Sequence, residues 1–190
     1  MSKIKVGLGV TGSYCTFDKL FDAMAELCDR FDVVPLMSET AANTDTRFGK
    51  ASEHIEKLEK MTGKKVLTEI RQAEPLGPTG AIDAVLIAPC TGNTLAKLAG
   101  GITDSCVTMA AKGALRNGKP VVLAISTNDG LSGSAGNIAA LLNKKNVYFV
   151  PFTQDAPFDK PTSLAADFRL LADTVEAALG GSQIQPILVR

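Results

Sequence analysis

Hydroxyl, amide and glycine residues are concentrated in four short segments of this sequence. The first is Thr11-Gly12-Ser13, and the second is a Ser-Glu-Thr segment at 38–40. The third, at 89–97, reads Pro-Cys-Thr-Gly-Asn-Thr-Leu-Ala-Lys, and the fourth, at 126–133, is again rich in hydroxyls and glycine. Hydroxyls and amides donate hydrogen bonds to anions, and glycine lets a backbone approach a ligand closely. The segments therefore predict a site for a phosphorylated cofactor, whose candidate residues are Thr11, Gly12, Ser13, Ser38, Thr40, Pro89, Thr91, Asn93, Thr94, Lys97, Ser126 and Asn128.

The segment at 89–97 is the most informative of the four. Pro89 ends an apolar run, and the donors that follow it precede a predicted helix that carries Lys97. This set suits a phosphate or a heterocycle at a helix N-terminus. Two structural alternatives stay open. The Thr11-Gly12-Ser13 segment can be a tight turn followed by a helix cap. In the 89–97 segment, Asn93 or Thr94 can be a simple helix cap, with Lys97 exposed to solvent. None of the four contains the Gly-x-Gly-x-x-Gly dinucleotide fingerprint.

Strand-like and helix-like stretches alternate along the chain, and each polar segment follows a strand. Strands are predicted at 4–10, 33–37, 84–88, 120–125 and 147–150, and helices at 17–28, 105–117, 134–144 and 163–179. The third and fourth strands show no polar alternation, which is typical of strands that are buried on both faces. The alternation predicts an α/β fold, a parallel sheet covered by helices, which binds ligands beyond the carboxyl ends of its strands.

Three stretches allow more than one interpretation. The apolar residues Phe48, Ala51, Ile55, Leu58 and Met61 mark one face of a helix, whereas 66–73 fits a short helix or a strand. The segment at 74–78, Glu-Pro-Leu-Gly-Pro, is a rigid turn or a lid, and its two prolines favour the turn. The apolar residues at 187–189 pack on a neighbour or add an edge strand.

Composition excludes several classes of partner. The 190 residues carry 20 Lys+Arg against 20 Asp+Glu, so there is no excess of positive charge for nucleic acid. The sequence has no apolar run long enough to span a bilayer and no signal peptide, so we expect a cytoplasmic protein without membrane contact. The four cysteines and single histidine do not have the spacing of a metal site, and Cys90 after a buried strand is expected to fill space.

The motifs resemble those of the FMN-binding homo-oligomeric flavoprotein family, which includes phosphopantothenoylcysteine decarboxylase, peptidyl-cysteine decarboxylases and flavin prenyltransferases. Thr11-Gly12-Ser13, Ser38 and the run at 89–97 carry this resemblance. A second set of motifs is similar to one branch of the family, the flavoprotein-like subunits of the two-subunit enzymes with which spore-forming bacteria make dipicolinate. These motifs include Thr44-Asp45-Thr46-Arg47-Phe48-Gly49, Thr103-Asp104-Ser105, the run at 120–129 and Val150-Pro151-Phe152-Thr153-Gln154-Asp155.

The resemblance implies a single three-layer Rossmann-like or flavodoxin-like domain over 1–190, assembled into a homo-oligomer such as a trimer or dodecamer. It implies FMN, with Gly12 and Ser13 near the ribityl-phosphate region and Ser38 on the phosphate. Thr91, Asn93 and Thr94 would line the phosphate and the ring edge. It further implies an oxidoreductase in the mother cell of a sporulating bacterium. A nucleotide-binding A subunit would supply NAD(P) for the oxidation of a dihydrodipicolinate-type precursor.

The sequence departs from the decarboxylases of the family in two places. Their Pro-Ala-Met-Asn substrate segment is replaced by Ser126-Thr127-Asn128-Asp129, and His54 lies in a charged helical stretch where we expect a surface residue. Arg47 is a candidate ligand for a dicarboxylate substrate, because bidentate cationic donors suit carboxylates, and Asn128 is the second candidate. Arg47 can equally be a solvated or interface residue. A stand-alone FMN-dependent decarboxylase and a non-catalytic scaffold subunit remain the alternative functions.

Overall fold

A five-stranded parallel sheet forms the centre of the protein in a computed structural model that describes residues 3–189. Its strand order is β2-β1-β3-β4-β5, so the chain reverses direction across the sheet between β1 and β3. Every residue of β3 is buried, as are the first six of β4, which agrees with their uninterrupted apolar sequences. The strands are β1 Lys5–Val10, β2 Asp32–Met37, β3 Ala84–Cys90, β4 Val121–Thr127 and β5 Val147–Phe149.

Helices cover both faces of the sheet, which confirms the predicted three-layer α/β fold. α1 and α8 pack together on one face, and α6 packs on the other face beside α4 and α5. α1 forms because Phe17, Leu20, Phe21, Met24 and Leu27 recur at helical spacing and are all buried. The helices are α1 Phe17–Arg30, α2 Glu39–Asn43, α3 Ala51–Thr62, α4 Ile70–Ala73, α5 Gly92–Gly100, α6 Cys106–Arg116, α7 Ala135–Leu142 and α8 Leu171–Leu179.

The predicted helix over 163–179 is wrong in its first part. Leu164–Ala166 forms a strand, β7, which pairs antiparallel with the end of β4 and with the short strand β6 at Phe152–Thr153. A 3₁₀ turn at Phe168–Leu170 follows, and α8 begins at Leu171. Residues 163–166 are all buried, so they lack the alternation of a surface helix, and strand pairing decides their conformation. This hairpin extends the parallel sheet at its ligand-binding edge.

The ambiguous stretches resolve into mixed structure. Leu67 bridges Leu36 of β2, after which α4 begins, so 66–73 contains both a strand-like contact and a helical turn. Leu188 bridges Phe152 in parallel, so the tail adds a short pairing to the edge of β6. Glu74–Leu76 forms a 3₁₀ turn that contains Pro75, and Gly77 directly after it packs on the backbone of Gly113, which favours the rigid-turn interpretation. No helix within the described part of the chain is long and apolar enough to cross a membrane.

Candidate functional site

The Thr11 side chain joins the ends of β1 and β3. Thr11 is 2% exposed, and its Oγ1 donates to the carbonyl of Pro89 at 2.7 Å. The same oxygen accepts the backbone N–H of Thr91 at 3.1 Å. Two polar segments that are 80 residues apart in sequence therefore meet at one edge of the sheet, as the strand-exit pattern predicts.

Three helix caps line a cleft of about 290 Å³ at this edge, which we name the N-cap cleft. Ser38, Thr91 and Ser105 cap α2, α5 and α6, and their hydroxyls accept backbone N–H groups at 3.2–3.4 Å. Thr91 Oγ1 and Ser105 Oγ also pair with the hydroxyls of Thr94 and Thr108 at 3.0 Å, and the helix N-termini add partial positive charge. The cleft is lined by Thr11, Gly12, Ser38, Glu39, Thr40, Thr91, Asn93, Thr94, Lys97, Asp104 and Ser105.

The N-cap cleft has no excess of cationic side chains. Lys97 Nζ lies 2.9 Å from Asp104 Oδ2, and Glu39 adds a second carboxylate to the lining. An anion in this cleft would therefore be held by hydroxyls, amides and backbone N–H groups rather than by a free ammonium. These donors suit a phosphate monoester.

A second cleft of about 360 Å³ lies on the other side of Gly12 and Thr91, which line both clefts. We name it the hydroxyl cleft. Ser13 Oγ lies 2.7 Å from Ser126 Oγ, and Ser126 Oγ donates to Thr16 Oγ1 at 3.4 Å, so the ends of β1 and β4 are joined by side-chain hydroxyls. Its lining is Gly12, Ser13, Cys15, Thr16, Lys19, Thr91, Ser126, Thr127, Asn128, Asp155, Lys160, Ser163, Leu164 and Ala165.

Gly92 allows the start of α5 to approach the loop after β4. A Cβ atom at this position would lie 2.7 Å from both Ser134 Oγ and Thr127 Oγ1, and 2.8 Å from Asp129 Oδ1. The hydroxyl of Thr127 also donates to the Asp129 carboxylate. A glycine is therefore required for the exits of β3 and β4 to lie side by side.

The structure gathers nearly all of the predicted cofactor residues. Every one of them lines the N-cap or the hydroxyl cleft except Pro89, which is buried and acts through its carbonyl bond to Thr11. Arg47 lies apart, on the exposed loop between α2 and α3, with its guanidinium carbon 4.8 Å from the ring centroid of Phe48. Asn128 does line the hydroxyl cleft, so the structure separates the two predicted substrate ligands.

Sequence reasoning missed six residues that carry charge or cap a helix at these clefts: Ser105, Lys19, Glu39, Asp104, Asp155 and Lys160. Ser105 has a recognisable signal, because a hydroxyl three residues before Thr108 is the start of a capping box. Lys19 lies in the first turn of α1, with no sequence signal for its role. Asp155 and Lys160 reach the hydroxyl cleft because β6 and β7 form a hairpin beside it, and this pairing was not predicted.

The expectation that His54 is a surface residue is wrong. His54 is 8% exposed, with its ring centroid 4.8 Å from that of Phe17 and 6.0 Å from that of Phe21. Burial lowers the pKa of His54 below its usual value of 6.5, an effect that Glu53 and Asp18 oppose and Lys57 increases. His54 shares the buried face of α3 with Ala51 and Leu58, and the exposed charged residues between these positions hide its burial in the sequence.

Burial disfavours the thiolate form of both buried cysteines. Cys90 is fully buried in β3, and burial raises the pKa of its thiol far above the usual range, which agrees with a space-filling role. Burial also raises the pKa of Cys106 to about 11, and its thiol donates to the carbonyl of Met37 at 2.9 Å. Within residues 3–189, no three His, Cys, Asp or Glu side chains are placed together to hold a metal ion.

The sheet order and the two clefts define an α/β protein of the flavodoxin-like class, with its candidate ligand site beyond the carboxyl ends of β1, β3 and β4. The chain belongs to the Flavoprotein family, whose sequence profile matches residues 1–173.

Relatives within this family match the whole chain. The B subunit of dipicolinate synthase from Bacillus subtilis is 46% identical over 193 residues, covering 100% of this chain and 96% of that protein. The crystal structure of the dipicolinate synthase B subunit from Bacillus halodurans has a TM-score of 0.90 at 45% identity, over 100% of this chain and 99% of that one. These matches confirm the resemblance drawn from the sequence motifs.

A more distant solved structure shares the fold. DmrB of Burkholderia xenovorans, a cubic protein cage for redox transfer solved in complex with FMN, has a TM-score of 0.62 at 22% identity. The match covers 77% of this chain and 87% of that one. At this identity the likeness concerns the fold alone.

Proposed function

We propose that this protein is the FMN-binding subunit of a dipicolinate synthase. It would act with the NAD(P)-binding A subunit of dipicolinate synthase to oxidise a dihydrodipicolinate-type precursor to dipicolinate during sporulation, in the cytoplasm of the mother cell. The observation that carries the proposal is the N-cap cleft, a single cavity that is lined by the N-termini of α2, α5 and α6. Ser38, Thr91 and Ser105 cap these three helices. The whole-chain similarity to dipicolinate synthase B subunits supports the choice of reaction.

The donor set of the N-cap cleft fits the phosphate of FMN. Ser38 and Thr91 would donate to the phosphate oxygens, and Asn93 and Thr94 would bind the phosphate or the edge of the ring. Gly12 lies between the two clefts and leaves room for the ribityl chain, with Ser13 and Ser126 beyond it. When bound, FMN supplies two-electron redox chemistry. The residues of this chain bind and orient it with neutral donors.

Two further components belong to the proposal. The nicotinamide cofactor is supplied through the A subunit, because the chain has no dinucleotide fingerprint of its own. The chain forms a homo-oligomer, a trimer or a dodecamer, for which the cage described for DmrB is a precedent within this fold. A small dicarboxylate is the substrate, and neither nucleic acid nor a membrane is a partner.

The test is reconstitution of the two-subunit enzyme. The chain is coexpressed with the A subunit, stripped of flavin, and dipicolinate formation is measured from precursor and NAD(P)⁺ with and without added FMN. Ser38→Ala and Asn93→Ala are compared with Ser52→Ala, an exposed hydroxyl on α3 outside both clefts. We expect FMN to restore activity, and the two cleft variants to require more FMN than the control.

The other functions predict different outcomes. Dipicolinate formation that does not depend on the present chain would overturn the proposal. Full activity of flavin-free enzyme, unchanged by Ser38→Ala or Asn93→Ala, would indicate a scaffold subunit. Release of carbon dioxide from a cysteine-adduct substrate by the chain alone would indicate a decarboxylase.

A further inference from the structure

We infer that Lys19 and Lys160 bind the two carboxylates of the substrate in the hydroxyl cleft, an inference that rests on the proposed function. Lys19 lies in the first turn of α1, and Lys160 lies on the loop between β6 and β7. Both side chains line the hydroxyl cleft, although they come from separate elements of the fold. A planar dicarboxylate presents two separated anionic groups, and two separate cations match that chemistry.

Neither ammonium group forms an ion pair with any carboxylate among residues 3–189. The other cations near the candidate site differ in this respect. Lys97 is 2.9 Å from Asp104, and Arg169 is 2.7 Å from Asp167. Arg169 and, more weakly, Lys19 lower the pKa of Asp167, but neither Lys19 nor Lys160 has to break a direct ion pair to bind an anionic ligand.

The charges that line each cavity favour the hydroxyl cleft for a dianion. Two ammonium groups face one carboxylate, Asp155, in that cleft. The N-cap cleft has two carboxylates, Glu39 and Asp104, against one ammonium. An adjoining groove of about 680 Å³, which shares Lys19 and Asp155, is acidic as a whole, because Asp22, Glu26, Asp155 and Asp167 line it against Lys19 and Arg169. Of these three cavities, the hydroxyl cleft is the one whose lining has more cationic than anionic side chains, so the charged groups favour a dicarboxylate there.

Asn128 gives the cleft a neutral donor beside the two cations. Its Oδ1 accepts the hydroxyl of Ser163 at 3.4 Å, so its amide N–H₂ group is the part left for a ligand. Asn128 was a predicted substrate residue, and it lines this cleft. Arg47 lies outside the lining of this cleft, so the inference replaces Arg47 with two lysines as the cationic ligands.

The experiment measures binding of dipicolinate, the product, to the FMN-loaded protein by equilibrium dialysis with ultraviolet detection. Lys19→Gln and Lys160→Gln are compared with Lys145→Gln, an exposed lysine outside the cleft, and with Asp155→Asn. We expect each cleft lysine variant to weaken binding by about fivefold, the control to leave it unchanged, and Asp155→Asn to tighten it by about twofold. Picolinate, which has one carboxylate, should bind more weakly and lose less in each lysine variant.

The outcomes separate this inference from the proposed function. Unchanged dipicolinate affinity in both lysine variants overturns the inference, as does a wild-type protein that binds FMN but no dipicolinate. A wild-type protein that does not bind FMN, measured by flavin fluorescence, overturns the proposed function instead. In that case dialysis of the flavin-free protein still compares the lysine variants, and a loss of dipicolinate binding in both supports the dicarboxylate site by itself.

Discussion

Replacing Thr11 by valine tests the hydroxyl that joins β1 to β3. Valine keeps the shape of the side chain and removes its oxygen. The carbonyl of Pro89 loses a donor at 2.7 Å, and the N–H of Thr91 loses an acceptor at 3.1 Å. Both groups lie beside a side chain that is 2% exposed, so water does not readily replace the lost bonds.

The expected cost follows from these two bonds. A buried polar group that loses its partner costs about 1–3 kcal/mol. Thr91 is only partly buried, so its N–H contributes at the low end, and we expect the free energy of unfolding to fall by about 2 kcal/mol. For a domain of this size, that change lowers the melting temperature by about 4–8 °C. Affinity for FMN should fall as well, because Thr91 lines both clefts.

The assay is urea unfolding followed by circular dichroism, since the chain has no tryptophan. Thr11→Ser is the matched control, because it keeps the hydroxyl and removes one methyl group, at a cost of about 1 kcal/mol. We expect the order of stability to be wild type, Thr11→Ser, Thr11→Val. Equal or greater stability of Thr11→Val relative to Thr11→Ser would refute the argument that the hydroxyl holds the two strand exits together.

Three further predictions concern close packing, buried charge and the paired lysine. Gly92→Ala should destabilise the protein by about 1–3 kcal/mol and weaken FMN binding, because its Cβ would lie 2.7 Å from two oxygen atoms. Gly136→Ala, a helical glycine with open space around it, should be neutral or stabilising by up to about 1 kcal/mol. Because the pKa of His54 is lowered in the folded state, the unfolded chain takes up a proton first. Stability measured by urea unfolding should therefore fall as the pH falls below about 6.5, and less so in His54→Phe. Lys97→Met should change the FMN dissociation constant by less than about threefold, whereas Asp104→Asn should tighten binding because it frees the ammonium.

Each of these has a contrary outcome. Equal effects of the two glycine substitutions would mean that the start of α5 has room to move. A pH profile that His54→Phe leaves unchanged would assign the acid sensitivity to other groups. A large loss of FMN affinity in Lys97→Met would mean that the lysine leaves Asp104 to bind the phosphate.

The parallel core of the fold could be predicted from the sequence because its signals are local. β3 and β4 are continuous apolar runs, and α1 repeats its apolar residues at helical spacing, so each element carries its own evidence. The polar segments could be assigned to one edge of the sheet for a topological reason, since all parallel strands end on the same side. Most of the candidate site follows from that rule.

The missed features depend on contacts between distant segments. β7 is a strand because it pairs with the end of β4 almost 40 residues earlier, and no periodicity within 163–166 indicates that pairing. Asp155 and Lys160 reach the hydroxyl cleft only through this hairpin. His54 was misplaced because the charged residues beside it were given more weight than its spacing, although it lies on the buried face of α3 between Ala51 and Leu58.

Although the net charge of the chain is zero, the two clefts differ in the charged groups that line them. In the N-cap cleft the one lysine is already compensated by Asp104, so affinity for a phosphate depends on fixed hydroxyls and helix N-termini, which need no rearrangement on binding. In the hydroxyl cleft the two ammonium groups sit on flexible side chains and have no ion-pair partner within the described chain. The first arrangement suits a cofactor that stays bound through many turnovers. The second suits an anionic substrate that must enter and leave, because flexible, solvated lysines attract a dianion without holding it tightly.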